Sequence, residues 1–180
     1  MRDKVIEILY ESFYDNGSVN FVVKQDAKKD ERIRELLAYS YNKAQRYGKA
    51  YLSDNEQAAA IVIDPEKDRF TLGDIRLIRK VIGLGGLPKV LKREKNLKRF
   101  KPQGKVMYIW YVGVKPEGQV KGQGTQLIKK ILLEYQDYHV HLQTSNPINF
   151  PLYEKLGFRF DGDYQQSNYA VKIYTYPSRK

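Results

Sequence analysis

A chain of 180 residues is long enough to bury its own core without metal or disulfide support, and it reads as a single domain over 1–180. It has no cysteine, which excludes disulfides, thiolate metal sites and a cysteine nucleophile together and agrees with a reducing, cytoplasmic setting. A formal net charge of +11 asks for an anionic partner, and nucleic acid, an anionic membrane surface and a polyanionic small molecule are the three classes that would answer it.

The opening residues, MRDKVIEILYESFYDN, carry charges inside an apolar pattern, which reads as a helix and not as a signal peptide. Val5, Ile6, Leu9, Tyr10 and Phe13 share one face over 3–14, and Ile33, Leu36, Leu37, Tyr41 and Ala44 do the same over 28–46. After Gly48 the period shortens: KAYLSD and QAAAIVID, joined through SDNE, read as a hairpin closed by Pro65. Helical spacing returns over 74–100 and is broken by GLGGLP at 83–88. No strand precedes those glycines, so they read as a helix stop and a mobile joint, not as a dinucleotide-binding turn. The run KVLKREKNLKRFK at 89–101 sets seven Lys or Arg against one Glu, with Phe100 its one aromatic; it reads as a solvated helix face, and the shortage of stacking groups argues against nucleic acid. No apolar run reaches the length of a membrane span, so the expectation is a soluble, intracellular protein with no membrane partner.

Next come a strand, VMYIWYVGV at 106–114, the turn QVKGQG, an amphipathic helix over 124–136 through Leu127, Ile128, Ile131, Leu132 and Tyr135, and a strand, HVHLQT at 139–144. A short helix ending LYEKLG and two tyrosine-rich strands finish the chain; the last, YAVKIYTY, would pair between subunits or simply end the sheet. The fold class is α/β (α+β), with a strand, turn, helix, strand unit at its centre. In QVKGQG, Gly122 and Gly124 would let backbone N–H groups close on an anion at the helix start, and a plain tight turn accounts for the same residues. No Lys-Ser or Lys-Thr follows, so it is not a Walker loop. His139 and His141 share a strand face without a third ligand and read as packing, so no metal is expected. Trp110 alternates with Tyr108 and Val112, and core packing is its default.

The stretch VGVKPEGQVKGQGTQLI resembles the acetyl-coenzyme A motif of the GNAT N-acetyltransferase superfamily through Val114, Pro116, Gln119, Gly122 and Gly124. HLQTSNPINFPLYEKLGF, 141–158, resembles the family's next strand and closing motif through Asn146, Tyr153, Gly157 and Phe158. The resemblance implies a mixed, mostly antiparallel central sheet flanked by helices, with splayed parallel strands at the cofactor site. It implies acetyl-coenzyme A as acetyl donor, its pyrophosphate on the backbone of Gln119, Val120, Lys121, Gly122, Gln123, Gly124 and Thr125, and Lys121 among the lysines for the 3′-phosphate. Pantetheine would pair with the backbone of Val112 and Val114. Asn146 would hydrogen-bond the cofactor, a helix cap before Pro147 being the structural alternative.

By the same resemblance, Tyr153 stands where the family donates a proton to the departing thiolate. Tyr108 stands where the histone-acetylating branch carries a glutamate, so the general base is open between a water relay and another residue. Backbone N–H groups around Val112 to Val114 would meet the oxyanion. Two departures stand out: the chain opens at a helix where the family commonly opens at a strand, and the basic helical insertion 66–104 exceeds the plain family connection. That insertion is expected to be a lid or a substrate-binding wall. The implied activity is direct acetyl transfer to a primary amine, of a small molecule or of a peptide or protein N-terminus or lysine. A GNAT-fold regulatory or nucleic-acid-associated module without transfer is the reading from another class, and monomer and homodimer are both left open.

Overall fold

The computed structural model describes residues 1–116, 122–166 and 169–179. The apolar stripes near the N-terminus form the helices expected of them: α1 (Arg2–Phe13) buries Val5, Ile6, Ile8 and Leu9. Between it and α3 (Lys29–Tyr47), which buries Ile33, Leu36, Leu37, Tyr41 and Ala44, stands α2 (Gly17–Val22), too short for a periodic signal. It starts where the Asn16 side chain accepts from the Ser18 and Val19 N–H groups.

β1 (Gly48–Leu52) and β2 (Ala58–Ile63) form the hairpin, in the register Gly48↔Ile63 to Leu52↔Ala59. Thr71 and Asp74 form a reciprocal capping box that starts α4 (Leu72–Leu77), which runs into a π-helical turn (Ile78–Ile82). Gly83, at φ +73°, ends it, and a 3-10 turn leads into α5 (Leu87–Lys98) with Pro88 in its first turn. The GLGGLP segment is thus a stop followed by a restart. The chain continues with β3 (Val106–Val114), α6 (Gln123–Glu134), β4 (His139–Thr144), α7 (Phe150–Lys155), β5 (Arg159–Gln166) and β6 (Tyr169–Tyr176).

Six strands form one sheet in the order β1-β2-β3-β4-β6-β5. All neighbours are antiparallel except β3 and β4. Among the described residues no strand precedes α1, and β1 is one edge of the sheet. The tyrosine-rich last strand does not end the sheet: β6 lies between β4 and β5, with a neighbour on each side, and β5 is the other edge. Pairing of β6 between subunits is therefore ruled out by the chain's own hairpin.

On one face of the sheet, α1, α2 and α3 pack on Ala59, Ile61 and Tyr111, and Leu97 of α5 continues that layer over Val171 and Ile173. On the other, α6 and α7 bring Leu127, Ile128, Ile131, Tyr153 and Phe158 onto Ala60, Val62, Met107, Ile109, Leu142 and Tyr174. The β2–β3 register slips once, from Ile61↔Tyr111 to Val62↔Ile109, leaving Trp110 as an extra residue in β3. That bulge turns Trp110 and Tyr111 to the same face, where their rings stack at 5.8 Å and 20°. Val112 packs on the opposite face, so the simple alternation of Tyr108, Trp110 and Val112 does not hold.

Candidate active site

The parallel pair β3 and β4 is joined only from Val106↔His139 to Ile109↔Leu142. Beyond that, Trp110–Val114 keeps only β2, while Gln143 and Thr144 keep only β6, so the sheet opens between them. The bulge at Trp110 adds local twist at the point of parting. Past it, Gly113 lets α1 approach, since a Cβ there would stand 2.6 Å from the Ser12 hydroxyl oxygen. The bond from Lys115 N–H to the Gln57 carbonyl, 2.9 Å, fixes the alternation of the ladder. Tyr111 and Gly113 face β2, and Val112 and Val114 turn their backbone groups toward the gap. The Val114 carbonyl already accepts from Ser12 Oγ at 3.0 Å, whereas Val112 is an open edge.

Of the expected phosphate-binding residues, Gln119, Val120 and Lys121 lie outside the described residues. Gly122 is left-handed, at φ +65° and ψ 19°, with no atom of the described residues within 4 Å of where a side chain would begin. Among the described residues no side chain caps α6, and the first-turn amides of Gln123, Gly124 and Thr125 stand at its positive end. The second glycine serves packing: a Cβ on Gly124 would lie 3.0 Å from a Val114 methyl, and its absence seats α6 against the end of β3. Two clefts lie outside the gap, one between α3 and α4 around Tyr39 and Arg46, the other between the β1–β2 turn and α6 around Asn55 and Gln126.

Tyr153 is 7% exposed on α7, with its ring 5.6 Å from Phe158 and 5.8 Å from Tyr174. The spacing of the closing motif has a local cause: Gly157, at φ +90°, ends α7 and turns the chain so that the Phe158 N–H reaches the Tyr153 carbonyl at 3.0 Å. Burial, with Tyr174 alongside, pushes the Tyr153 hydroxyl up to about 12. Asn146 is exposed, and its Oδ1 accepts from the Ile148 N–H at 3.2 Å, the helix-cap arrangement read as its structural alternative.

The other face of the gap holds Arg93, which the sequence did not single out, near Tyr108 and His141, which it did. Arg93 of α5 is buried and donates from Nη2 to Ser18 Oγ at 3.2 Å; Ser18 in turn meets the Ser145 hydroxyl at 3.2 Å, just past the end of β4. The signal was in the spacing, because Val90, Arg93 and Leu97 make the buried stripe of a helix whose other positions carry the basic run. Tyr108 and His141 lie side by side with rings 5.8 Å apart. Burial, then the negative charge of Glu94, raises the Tyr108 hydroxyl far above its ordinary value. His141 is 4% exposed, lies 3.0 Å from Thr175 Oγ1 through Nδ1, and is lowered by burial to about 4, so its ring is neutral at pH 7. His139 accepts from the Ser178 N–H at 3.2 Å, and both histidines are accounted for by protein partners.

Two sets of comparisons bear on this geometry. The family model for the acetyltransferase (GNAT) family matches residues 29–158. The fold is similar to that of a histone acetyltransferase HPA2 and related acetyltransferase from Corynebacterium glutamicum, at TM-score 0.74 and 16% identity over 99% of this chain and 92% of that one. It is also similar to arylalkylamine N-acetyltransferase 2 from Aedes aegypti, at TM-score 0.64 and 18% identity over 97% and 93%. The ribosomal-protein-S18-alanine N-acetyltransferase from Escherichia coli matches at TM-score 0.56 and 14% identity over 99% and 89%. At these identities the structural likeness speaks for the fold, and the family match, which spans most of the chain, speaks for kinship: the chain belongs to the acetyltransferase (GNAT) family.

Proposed function

We propose that this protein is an N-acetyltransferase that moves an acetyl group from acetyl-coenzyme A directly to a primary amine. The observation that carries the reading is the gap between β3 and β4, with the open backbone edge of Val112 on one side and the positive start of α6 at its end. Acetyl-coenzyme A supplies an activated thioester and a thiolate leaving group. The bare left-handed Gly122 and the amides of Gln123, Gly124 and Thr125 suit its phosphates, with Gln119, Val120 and Lys121 completing the turn in the proposal. Val112, and the N–H of Val114, offer an extended edge to an amide-containing arm. Since the Asn146 oxygen is held in its cap, a contact with the cofactor falls to its Nδ2 group.

Tyr153 is the group assigned to the departing thiolate. With its hydroxyl at about 12 it stays protonated throughout the working range. Complete proton transfer to a thiolate of ordinary pKa, about 8.5, is uphill by about 5 kcal/mol, so the phenol acts by hydrogen bonding as charge develops unless the amine's own proton follows. Tyr108, raised and neutral, makes no base, and deprotonation of the amine is assigned to solvent.

Calorimetric titration with acetyl-coenzyme A tests the site through a matched pair, Gly122→Asn and Gly122→Asp. Both residues tolerate the left-handed conformation and both enter open space, so they differ in charge. Gly122→Asp should bind at least about tenfold more weakly than Gly122→Asn. Tyr153→Phe should bind normally and release thiol about 100-fold more slowly. Equal affinities for the two Gly122 variants would remove the phosphate from this turn, and binding without thiol release to any amine would favour the regulatory-module reading.

A further inference from the structure

The sheet face opposite α6 holds a buried positive charge that the protein matches only loosely. Arg93 is 7% exposed, and the carboxylate it meets, Glu94, stands 3.7 Å away with its own side chain 53% exposed. Nη2 is occupied by Ser18, while Nε–H is buried with no hydrogen-bond partner among the described residues. Lys89 and Arg93 both lie against the Phe21 ring, at 5.0 and 5.7 Å, so a second cation adds to the field. A buried guanidinium with a free donor is costly unless an anion completes it.

Two further orphaned atoms share that face. The Tyr169 hydroxyl and Gln166 Oε1 are buried without a close hydrogen bond among the described residues, the hydroxyl facing Ser18, and the two side chains are cross-strand neighbours at the end of the β5–β6 hairpin. Tyr169 packs with Leu97, one turn along α5 from Arg93, and its ring lies against Gly17, beside the Ser18 that Arg93 holds. Ser18 links the group to Ser145 at the diverging end of β4. Buried polar atoms without partners are rare in folded proteins, and among the described residues three fall in one region next to the gap.

We propose that Arg93 and Tyr169 form an acceptor subsite for a carboxylate, so that the preferred acceptor is an amine that also carries a carboxylate group. One guanidinium N–H and one phenol O–H are two donors for two oxygens, and a single negative charge balances Arg93. The charge of Arg93 also lowers the Tyr108 and Tyr111 hydroxyls against the upward pull of burial, which sets its field on β3 beside the point of parting. The subsite rests on the amine-transfer reading above and extends it to the acceptor's chemical class.

The test is thiol release with matched amines, β-alanine against propylamine and L-phenylalanine against 2-phenylethylamine, beside calorimetric binding of coenzyme A. The wild type should favour the carboxylate-bearing member of at least one pair by about tenfold or more in kcat/KM. In Arg93→Met that ratio should fall toward the intrinsic ratio of the two amines, and Tyr169→Phe should lower it a few-fold, with coenzyme A affinity unchanged in both. Comparing ratios between variants cancels amine basicity, and Arg93→Lys, which keeps the charge but not the fork, stands in if Arg93→Met melts early. A wild-type preference that survives Arg93→Met, no preference in either pair, or coenzyme A binding with no turnover of either carboxylate-bearing amine overturns the subsite. Failure to bind coenzyme A overturns the transferase reading instead.

Discussion

His141 shows at the scale of one residue how burial fixes chemistry. Burial holds it at about 4, with Asp161 pulling the value up and Lys101 pushing it down, whereas an unfolded histidine titrates at 6.5. Between those values the unfolded chain binds the proton that the folded one refuses, so stability falls as pH drops from 6.5 toward 4, by up to about 3 kcal/mol, and is level for this group above 6.5. Urea unfolding at pH 5 and pH 7.5 should show about 2 kcal/mol of that loss in the wild type and a smaller one in His141→Gln; equal losses would assign the slope elsewhere. The local geometry around the candidate site was legible at this scale, because the Gly157 turn that returns Phe158 to Tyr153 is a short-range feature that a motif records. Arg93 was not, since a buried arginine inside a basic run looks like its solvated neighbours until the helix face is known. Gly124 was half legible: its lack of a side chain was plain, but the Val114 methyl it accommodates comes from another element.

Among the elements, the insertion 66–104 was expected to be a lid or a substrate-binding wall; what its packing shows is that it shares the core of the domain. Val81 joins the core under α1 and α3, and Leu97 joins Val171 and Ile173. Its leading loop is tied down by Lys43, 3% exposed, which reaches Asp68 at 2.6 Å, the Arg69 carbonyl at 2.6 Å and Asp74 at 3.2 Å. Burial alone would raise the Asp74 carboxyl, but hydrogen bonds from Thr71, Tyr39 and Lys43 hold it below the usual carboxylate range. Lys43→Met should therefore cost about 2 kcal/mol in chemical denaturation, since it removes the cation from Asp68 and the Arg69 carbonyl and one of three side-chain partners from Asp74. A cost below about 0.5 kcal/mol would show that the tie adds nothing measurable. Deleting the whole insertion would remove core residues along with any acceptor contact, so single substitutions on α5 are the sharper probe. The periodic helices and strands were readable from their patterns, whereas α2, six residues long, and the bulge at Trp110 have no periodicity to read.

For the molecule as a whole, the two faces of the sheet carry different helices. α6 and α7 stand on one side with Tyr153, and α5 stands on the other with Arg93, and the parting of β3 and β4 is the opening between them. Direct transfer across such an opening needs both reactants present together, so initial-rate plots with acetyl-coenzyme A and an amine varied should intersect. Parallel lines, the pattern of a covalent acetyl-enzyme, would count against direct transfer in a chain without cysteine. The order of strands was less legible than their existence: no local pattern reveals that β6 folds back between β4 and β5.

The end of β3 is gripped from above and below. Gly113 admits Ser12 of α1 on one side, Gly124 of α6 admits the Val114 methyl on the other, and the Ser12 hydroxyl holds the Val114 carbonyl. The end of this strand is thus a finished rail, held in place by the helices on both of its faces. In the proposed function, an arm paired along Val112 would meet a strand whose position is already fixed by α1 and α6.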